Sequence, residues 1–150
     1  MVNRAAEDTL QEKPISSSDY IIALEEVNEK RSRMKKDQEL IVITKTYDLI
    51  LWSCNHTSKF PRNHRFVLGE RIERNLYNLL ETLIAAKYTK NRQRLLEEAN
   101  LSLEVLRFQM RLAKDLQCLK VESYAFAAKS IDEIGRLVGG WLRSRGEEKA

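Results

Sequence analysis

Apolar residues recur at helical spacing through most of this chain. Beyond Gln38, Leu40, Ile43, Tyr47, Ile50, Leu51 and Cys54 fall at i, i+3, i+7, i+10, i+11 and i+14, the pattern of one helical face. Phe60-Pro61 interrupts the run, because proline lacks a donor and disfavours a helical predecessor. The pattern predicts helices over about 38–57, 62–88, 91–118 and 121–144, with Asn91 the expected cap of the third. At about 1.5 Å rise per residue, a helix of roughly 25 residues is about 37 Å long. Connections this short force neighbours antiparallel, so the predicted fold is all-α, an up-down-up-down four-helix bundle.

Each later helix has an inward stripe. In the second it is Leu68, Ile72, Leu76, Leu79, Leu80 and Leu83; in the fourth it is Tyr124, Ala127, Ala128, Ile131, Ile134, Val138, Trp141 and Leu142. Gly135 and Gly139 weaken that fourth helix by about 1 kcal/mol each, and close approach of a neighbouring backbone is the expected compensation. The third helix carries two apolar sectors. One holds Leu95, Leu96, Ala99, Leu103, Leu106, Met110 and Ala113; the other holds Leu101, Val105, Phe108, Leu112, Leu116 and Leu119. Together they sweep about two-thirds of the circumference, whereas a helix in a single bundle needs one stripe somewhat over 100° wide. The surplus sector predicts a homo-oligomer, with the amino-terminal segment from Tyr20 to Val27 as the alternative cover.

The chain divides by pattern into residues 1–37, an amino-terminal arm or short extra helix that is basic at its end; 38–145, the bundle; and 146–150, a polar tail. Residues 1–18 are polar and read as a mobile arm. Asp19 is the expected cap of a short helix through Tyr20, Ile21, Leu24 and Val27. Lys30 to Lys36 holds five positive charges in seven positions, either a solvated linker or an extra phosphate-binding arm.

Charge separates these parts. Residues 1–39 carry seven Lys/Arg against nine Asp/Glu, a net of −2; residues 40–150 carry 19 against 13, a net of +6. A basic folded domain is predisposed to polyanions. The candidate nucleic-acid contacts are Arg62, Arg65, Arg71, Arg74, Lys87, Lys90, Arg92 and Arg94 on and around the second helix, Arg107, Arg111 and Lys114 on the third, and Lys129, Arg136 and Arg143 on the fourth. Arg107, Arg111 and Lys114 fall at i, i+4 and i+7 and are expected to project from one side. Contacts to phosphates make such binding sensitive to salt and largely blind to base sequence.

Other chemistry is poorly supported. His56 and His64 flank the Pro61 turn with Cys54 nearby, but the spacing matches no zinc signature, and two cysteines make no disulfide framework. Adjacent carboxylates Glu97-Glu98 and Asp132-Glu133 point about 100° apart on a helix. No catalytic residue, metal or cofactor is assigned. No uncharged run approaches the roughly 18 residues of a membrane span, and no secretory leader pattern opens the chain, so a reducing cytoplasm is the expected compartment.

Three stretches carry a resemblance. Lys59-Phe60-Pro61-Arg62 leads into Arg65-Phe66-Val67-Leu68-Gly69. Leu103 to Phe108 follows with Arg111-Leu112-Ala113, and then Asp132-Glu133-Ile134-Gly135-Arg136-Leu137-Val138-Gly139-Gly140-Trp141-Leu142. In order and spacing, residues 40–144 resemble the accessory variability determinant (Avd) proteins of diversity-generating retroelements and the wider four-helix family of ribosomal-RNA intervening-sequence proteins. The resemblance implies a barrel-shaped homopentamer of bundles without catalytic activity. It implies binding to template-repeat RNA or to DNA, and association with the element's reverse transcriptase during mutagenic cDNA synthesis and retrohoming. It carries over Arg62, Arg107, Arg111, Arg136 and Arg143 as basic motif positions, and leaves the stretch before residue 40 unmatched. The alternative is a four-helix protein-interaction scaffold whose charge serves only solvation.

Overall fold

A computed structural model of the chain describes residues 14–148, with side chains to residue 144. The arm expected over residues 1–18 therefore lies outside the described residues as far as residue 13, as does the end of the 146–150 tail. The described residues are helical throughout apart from the connections, with no strand among them. The helices are α1 (Ser17–Thr57), α2 (Glu70–Tyr88), α3 (Gln93–Asp115) and α4 (Val121–Glu148). The short helical turns Arg62–His64 and Arg65–Gly69 lead into α2. The chain divides into two units, one ending at Lys36 and the other beginning at Asp37.

In the first unit the helix is capped three residues earlier than expected. Ser16, not Asp19, is the cap: its Oγ accepts from Asp19 N at 3.3 Å and donates to Asp19 Oδ2 at 2.7 Å. Asp19 sits in the first turn, where its charge favours the helix dipole. The anticipated linker at Lys30–Lys36 is helical as well. Its Lys, Arg and Met are good helix formers, and neither Gly nor Pro interrupts them. Tyr20, Ile21, Leu24, Val27 and Met34 are all exposed.

The second unit is built on one core. It takes Val42, Leu49 and Ile50 from α1, Ile72, Leu76, Leu79 and Leu83 from α2, Leu96 to Ala113 at helical intervals from α3, and Ala127, Ile131, Ile134, Val138 and Trp141 from α4. Lys45 of α1 meets Glu133 of α4, and further along Trp52 meets Phe126, so these two helices run in opposite directions. Thr57 with Glu73 and Cys54 with Tyr77 show the same for α1 and α2.

The inward face of α1 is a correction. Leu40, Tyr47 and Leu51, expected inside, are exposed; the buried stripe is Glu39, Val42, Thr46, Leu49, Ile50, Ser53 and Thr57. Three of the four polar members of that stripe have hydrogen-bond partners, which is what makes their burial tolerable. Thr46 Oγ1 donates to Val42 O at 2.9 Å, and Thr57 Oγ1 donates to Glu73 Oε1 at 2.6 Å. Glu39 accepts from Arg92 at 2.6 Å. Ser53 Oγ alone in the stripe lacks a partner.

Three boundaries also differ from expectation. The second helix does not run evenly from residue 62, because Arg65–Gly69 is a π turn. Phe60, 1% exposed, plugs the core just before it. Gly69 packs beneath that ring, where a Cβ would stand 3.5 Å from Phe60 Cδ2 and 3.6 Å from Thr57 Cβ. The wider turn keeps Leu68 inside and leaves Phe66 and Val67 outside. The cap of α3 is Arg92 rather than Asn91, and no side chain bonds the first turn. Finally α3 closes at Asp115 through left-handed Gln117 (φ 61), with Cys118 N donating to Ala113 O and Gln117 N to Lys114 O. This closure folds Leu119 into the core and removes it from the outer sector where periodicity had placed it.

Candidate nucleic-acid interface

The fourteen basic candidates fall into two chemical groups. In the first, the charge is engaged inside the protein. Arg92 is the clearest case: Nη1 donates to Glu39 Oε1 at 2.6 Å, Nε donates to Thr89 O at 3.0 Å, and the guanidinium lies 5.8 Å over the Trp141 ring. The Glu39 side chain is only 10% exposed and that of Arg92 27%, so this pair ties the start of the second unit to the α2–α3 connection and the end of α4. Arg107 bridges Glu104 on its own helix and Asp132 on α4, the latter at 3.1 Å. Lys114 turns over the Tyr124 ring at 4.7 Å and lies 3.5 Å from Asp115. Arg107 and Lys114 thus leave the strip they were expected to share with Arg111, which stays exposed with a loose contact to Asp115 at 3.9 Å. Lys87 lies 5.4 Å over Tyr88.

The second group faces water. Arg74 and Arg94 are exposed and hold ordinary i, i+4 pairs with Glu70 and Glu98, which screening makes weak. Arg65 is exposed, with Nε and Nη2 each donating to Phe60 O at 3.3 Å. Lys90 is exposed on the α2–α3 connection. Arg62, Arg71, Lys129, Arg136 and Arg143 are exposed and have no ion-pair or hydrogen-bond partner among the described residues.

Arg136 and Arg143 line an open groove of about 640 Å³ between α3 and α4, with Arg107, Asn100, Glu104 and Asp132 on its walls. The α4 glycines form part of its lining. What approaches them is not backbone, as expected, but guanidinium groups: a Cβ at Gly135 would lie 3.0 Å from Arg107 Nη2, and one at Gly139 3.7 Å from Arg143 Nη1. The glycines thus make room for two arginines along a helix that gives up some propensity to do so. Lys129 lies apart, in a cleft of about 280 Å³ between α1 and α4 with Lys45, Asp48 and Glu133.

Two residues in the basic surface escaped the candidate set. Lys59 is exposed just before the π turn, and Phe66 protrudes from it. Their signal was present in Lys59-Phe60-Pro61-Arg62-Asn63-His64-Arg65-Phe66, a basic run with two aromatic residues, one of which packs inward and the other outward. Among the other nonbasic candidates, Cys54 Sγ lies 3.4 Å from Tyr77 Oη, and His56 Nδ1 lies 2.8 Å from Trp52 O. His64 Nε2 lies 3.3 Å from Asn63 Nδ2. Among the described residues no group of three or more His, Cys, Asp or Glu is placed to hold a metal, and no helix is long and apolar enough to cross a membrane.

The surplus apolar sector of α3 is bare. Leu101 (67% exposed) and Phe108 (66%) stand with Val105, Leu112 and Leu116 along its outer side. A family model described as bAvd-like matches residues 40–145, from the second-unit portion of α1 through nearly all of α4. Comparison with curated proteins finds no match.

Proposed function

The chain belongs to the bAvd-like family, and from that membership we propose that it is a non-enzymatic accessory subunit of a diversity-generating retroelement. In this reading it binds template-repeat RNA, and DNA as a further ligand, through its outward cations. It associates with the element's reverse transcriptase to support mutagenic cDNA synthesis and retrohoming in the cytoplasm. The observation that carries the reading is the family match over residues 40–145. The unpartnered Arg62, Arg71, Lys129, Arg136 and Arg143 support phosphate binding, and Arg65, Arg74, Lys90, Arg94 and Arg111 add exposed charge. Arg92, Arg107 and Lys114 contribute chiefly by placing helices and shaping the surface, and Lys87 lies over its neighbour Tyr88. The bare α3 sector supports a ring-shaped homo-oligomer, a pentamer by family resemblance, in which each copy repeats the basic surface. Residues 38–145 carry these roles, and residues 1–37 are an appended arm.

The test is titration of labelled template-repeat RNA over a range of salt, with co-purification of the reverse transcriptase. Arg71→Glu/Arg136→Glu/Arg143→Glu should lower affinity at least tenfold and flatten the salt slope while leaving the helical circular dichroism unchanged. An unchanged slope removes these residues from the interface. A wild-type chain that binds neither RNA nor polymerase overturns the reading.

A further inference from the structure

The π turn places an apolar pair where folding gains nothing from it. Phe66 is 66% exposed and Val67 61%, on a helical turn rather than in an irregular loop. Such turns are energetically poorer than α-helix and occur often at functional sites. The chemistry around the pair differs from that of the α3 strip. Helical spacing of four sets Arg62 one turn before Phe66 and Arg71 one turn after Val67, and Lys59 precedes the turn. All three cations are exposed and lack a charged or hydrogen-bonding side-chain partner among the described residues. Two acids lie nearby: Glu70 pairs with Arg74 at 2.7 Å, and Glu73, which keeps its charge, accepts from Thr57 at 2.6 Å. Against them stand Lys59, Arg62, Arg65, Arg71 and Arg74, so the charge around the exposed ring is positive on balance. The Leu101–Leu116 strip, by contrast, is a longer row of apolar side chains, and the exposed cation one turn from Phe108, Arg111, lies 3.9 Å from Asp115.

Beside the ring runs a groove of about 350 Å³ lined by Thr57, Ser58, Arg65, Gly69, Glu70 and Glu73 together with Phe66. Its walls offer hydroxyl oxygens, a guanidinium and carboxylate acceptors. A heteroaromatic ring with donors and acceptors on its edge matches that lining; an aliphatic side chain does not. An aromatic face flanked by unpaired cations is the arrangement that grips single strands, stacking on the base and neutralising its phosphates.

We propose that Phe66, flanked by Lys59, Arg62 and Arg71, is a stacking platform for an unpaired nucleic-acid base. This inference rests on the nucleic-acid reading above and sharpens it, assigning a single-strand site to one end of the helical unit.

The test uses the full chain, a uridine 20-mer and an RNA duplex of 20 base pairs, compared by fluorescence anisotropy at low and moderate salt. Phe66→Ala should weaken binding of the single strand by about tenfold or more and change duplex binding by less than about twofold, since its loss removes no charge. Phe66→Trp should retain single-strand affinity, and the added indole emission should be quenched by the uridine oligomer but not by the duplex. Phe66 is exposed, so neither variant should shift the melting curve. If the wild type binds and Phe66→Ala weakens both ligands equally or neither, the platform is overturned while the broader reading stands. If either variant lowers the mass in light scattering, the ring is an interface between copies and the platform is likewise overturned. A wild type that binds neither ligand overturns both proposals.

Discussion

Helices α1 and α3 spend their apolar residues in opposite ways. On α3 the inward stripe is Leu96, Ala99, Leu103, Leu106, Met110 and Ala113, and a second apolar row looks outward. On α1 the inward stripe is more than half polar, with Glu39, Thr46, Ser53 and Thr57 among its members, while Leu40, Tyr47 and Leu51 look outward. Burial on α3 follows from hydrophobic area. On α1 it also depends on hydrogen bonds and an ion pair whose partners lie on other elements. Hydrophobicity alone therefore identifies the inside of one helix and misplaces the inside of the other.

The largest expected effect tests the outward face of α3. Leu101→Glu/Phe108→Glu should reduce the particle in light scattering to the 17.5 kDa of one chain while the helical signal persists, because both side chains are exposed in the chain. An unchanged mass would mean this row covers no copy. Next come the inward faces. Leu106→Ala on α3 should cost about 3 kcal/mol in denaturant unfolding. Glu39→Ala on α1 should cost about 2 kcal/mol, at the lower side of buried pairs because Arg92 retains some exposure. If Glu39→Ala unfolds with the wild type, the polar stripe is not what seats α1. A smaller effect of opposite sign is expected at Ser53, whose buried hydroxyl has no partner. Ser53→Ala should stabilise by up to about 1 kcal/mol, and a loss of that size would point to a bond the hydroxyl makes in solution.

The smallest effect concerns the contact between α1 and α2. The hydrogen bond the phenol donates to Cys54, then burial, then the charges of Cys54 and Glu73 push Tyr77 up to about 12. The neutral phenol is the form the fold favours. Its contribution is complete below the ordinary value near 10 and is lost as pH rises towards about 12. In an absorbance titration of the five tyrosines, one should ionise last, and Cys54→Ala should return it towards the others. No late-ionising tyrosine in the wild type would contradict the contact.

These same residues show how far the sequence was legible. The cores of α2, α3 and α4 follow from periodicity, down to Trp141 at the end of the last helix. The face of α1 was not legible, because a buried Thr or Glu resembles a surface residue until its partner is known. The interface divides similarly. Spacing placed Arg136 and Arg143 on the outside, and they are exposed. It put Arg107 and Arg92 with them, although Asp132 lies 25 positions from the former and Glu39 53 from the latter. Only tertiary structure brings such pairs together. The exposed Phe66 was visible as a residue but not as a surface feature, since a π turn has no compositional signature.

The π turn also governs how the chain tolerates length changes at that end. A wide turn is one residue more than an α-helix of the same span requires, so excising a residue between Arg65 and Gly69 would let the coil tighten into regular helix. The segments on either side would keep nearly the same phase about the axis, whereas a residue excised from the regular coil of α2 would rotate everything upstream by roughly 100° and take Phe60 from its seat above Gly69. The spare residue thus marks the one stretch at that end where a lost position is absorbed locally.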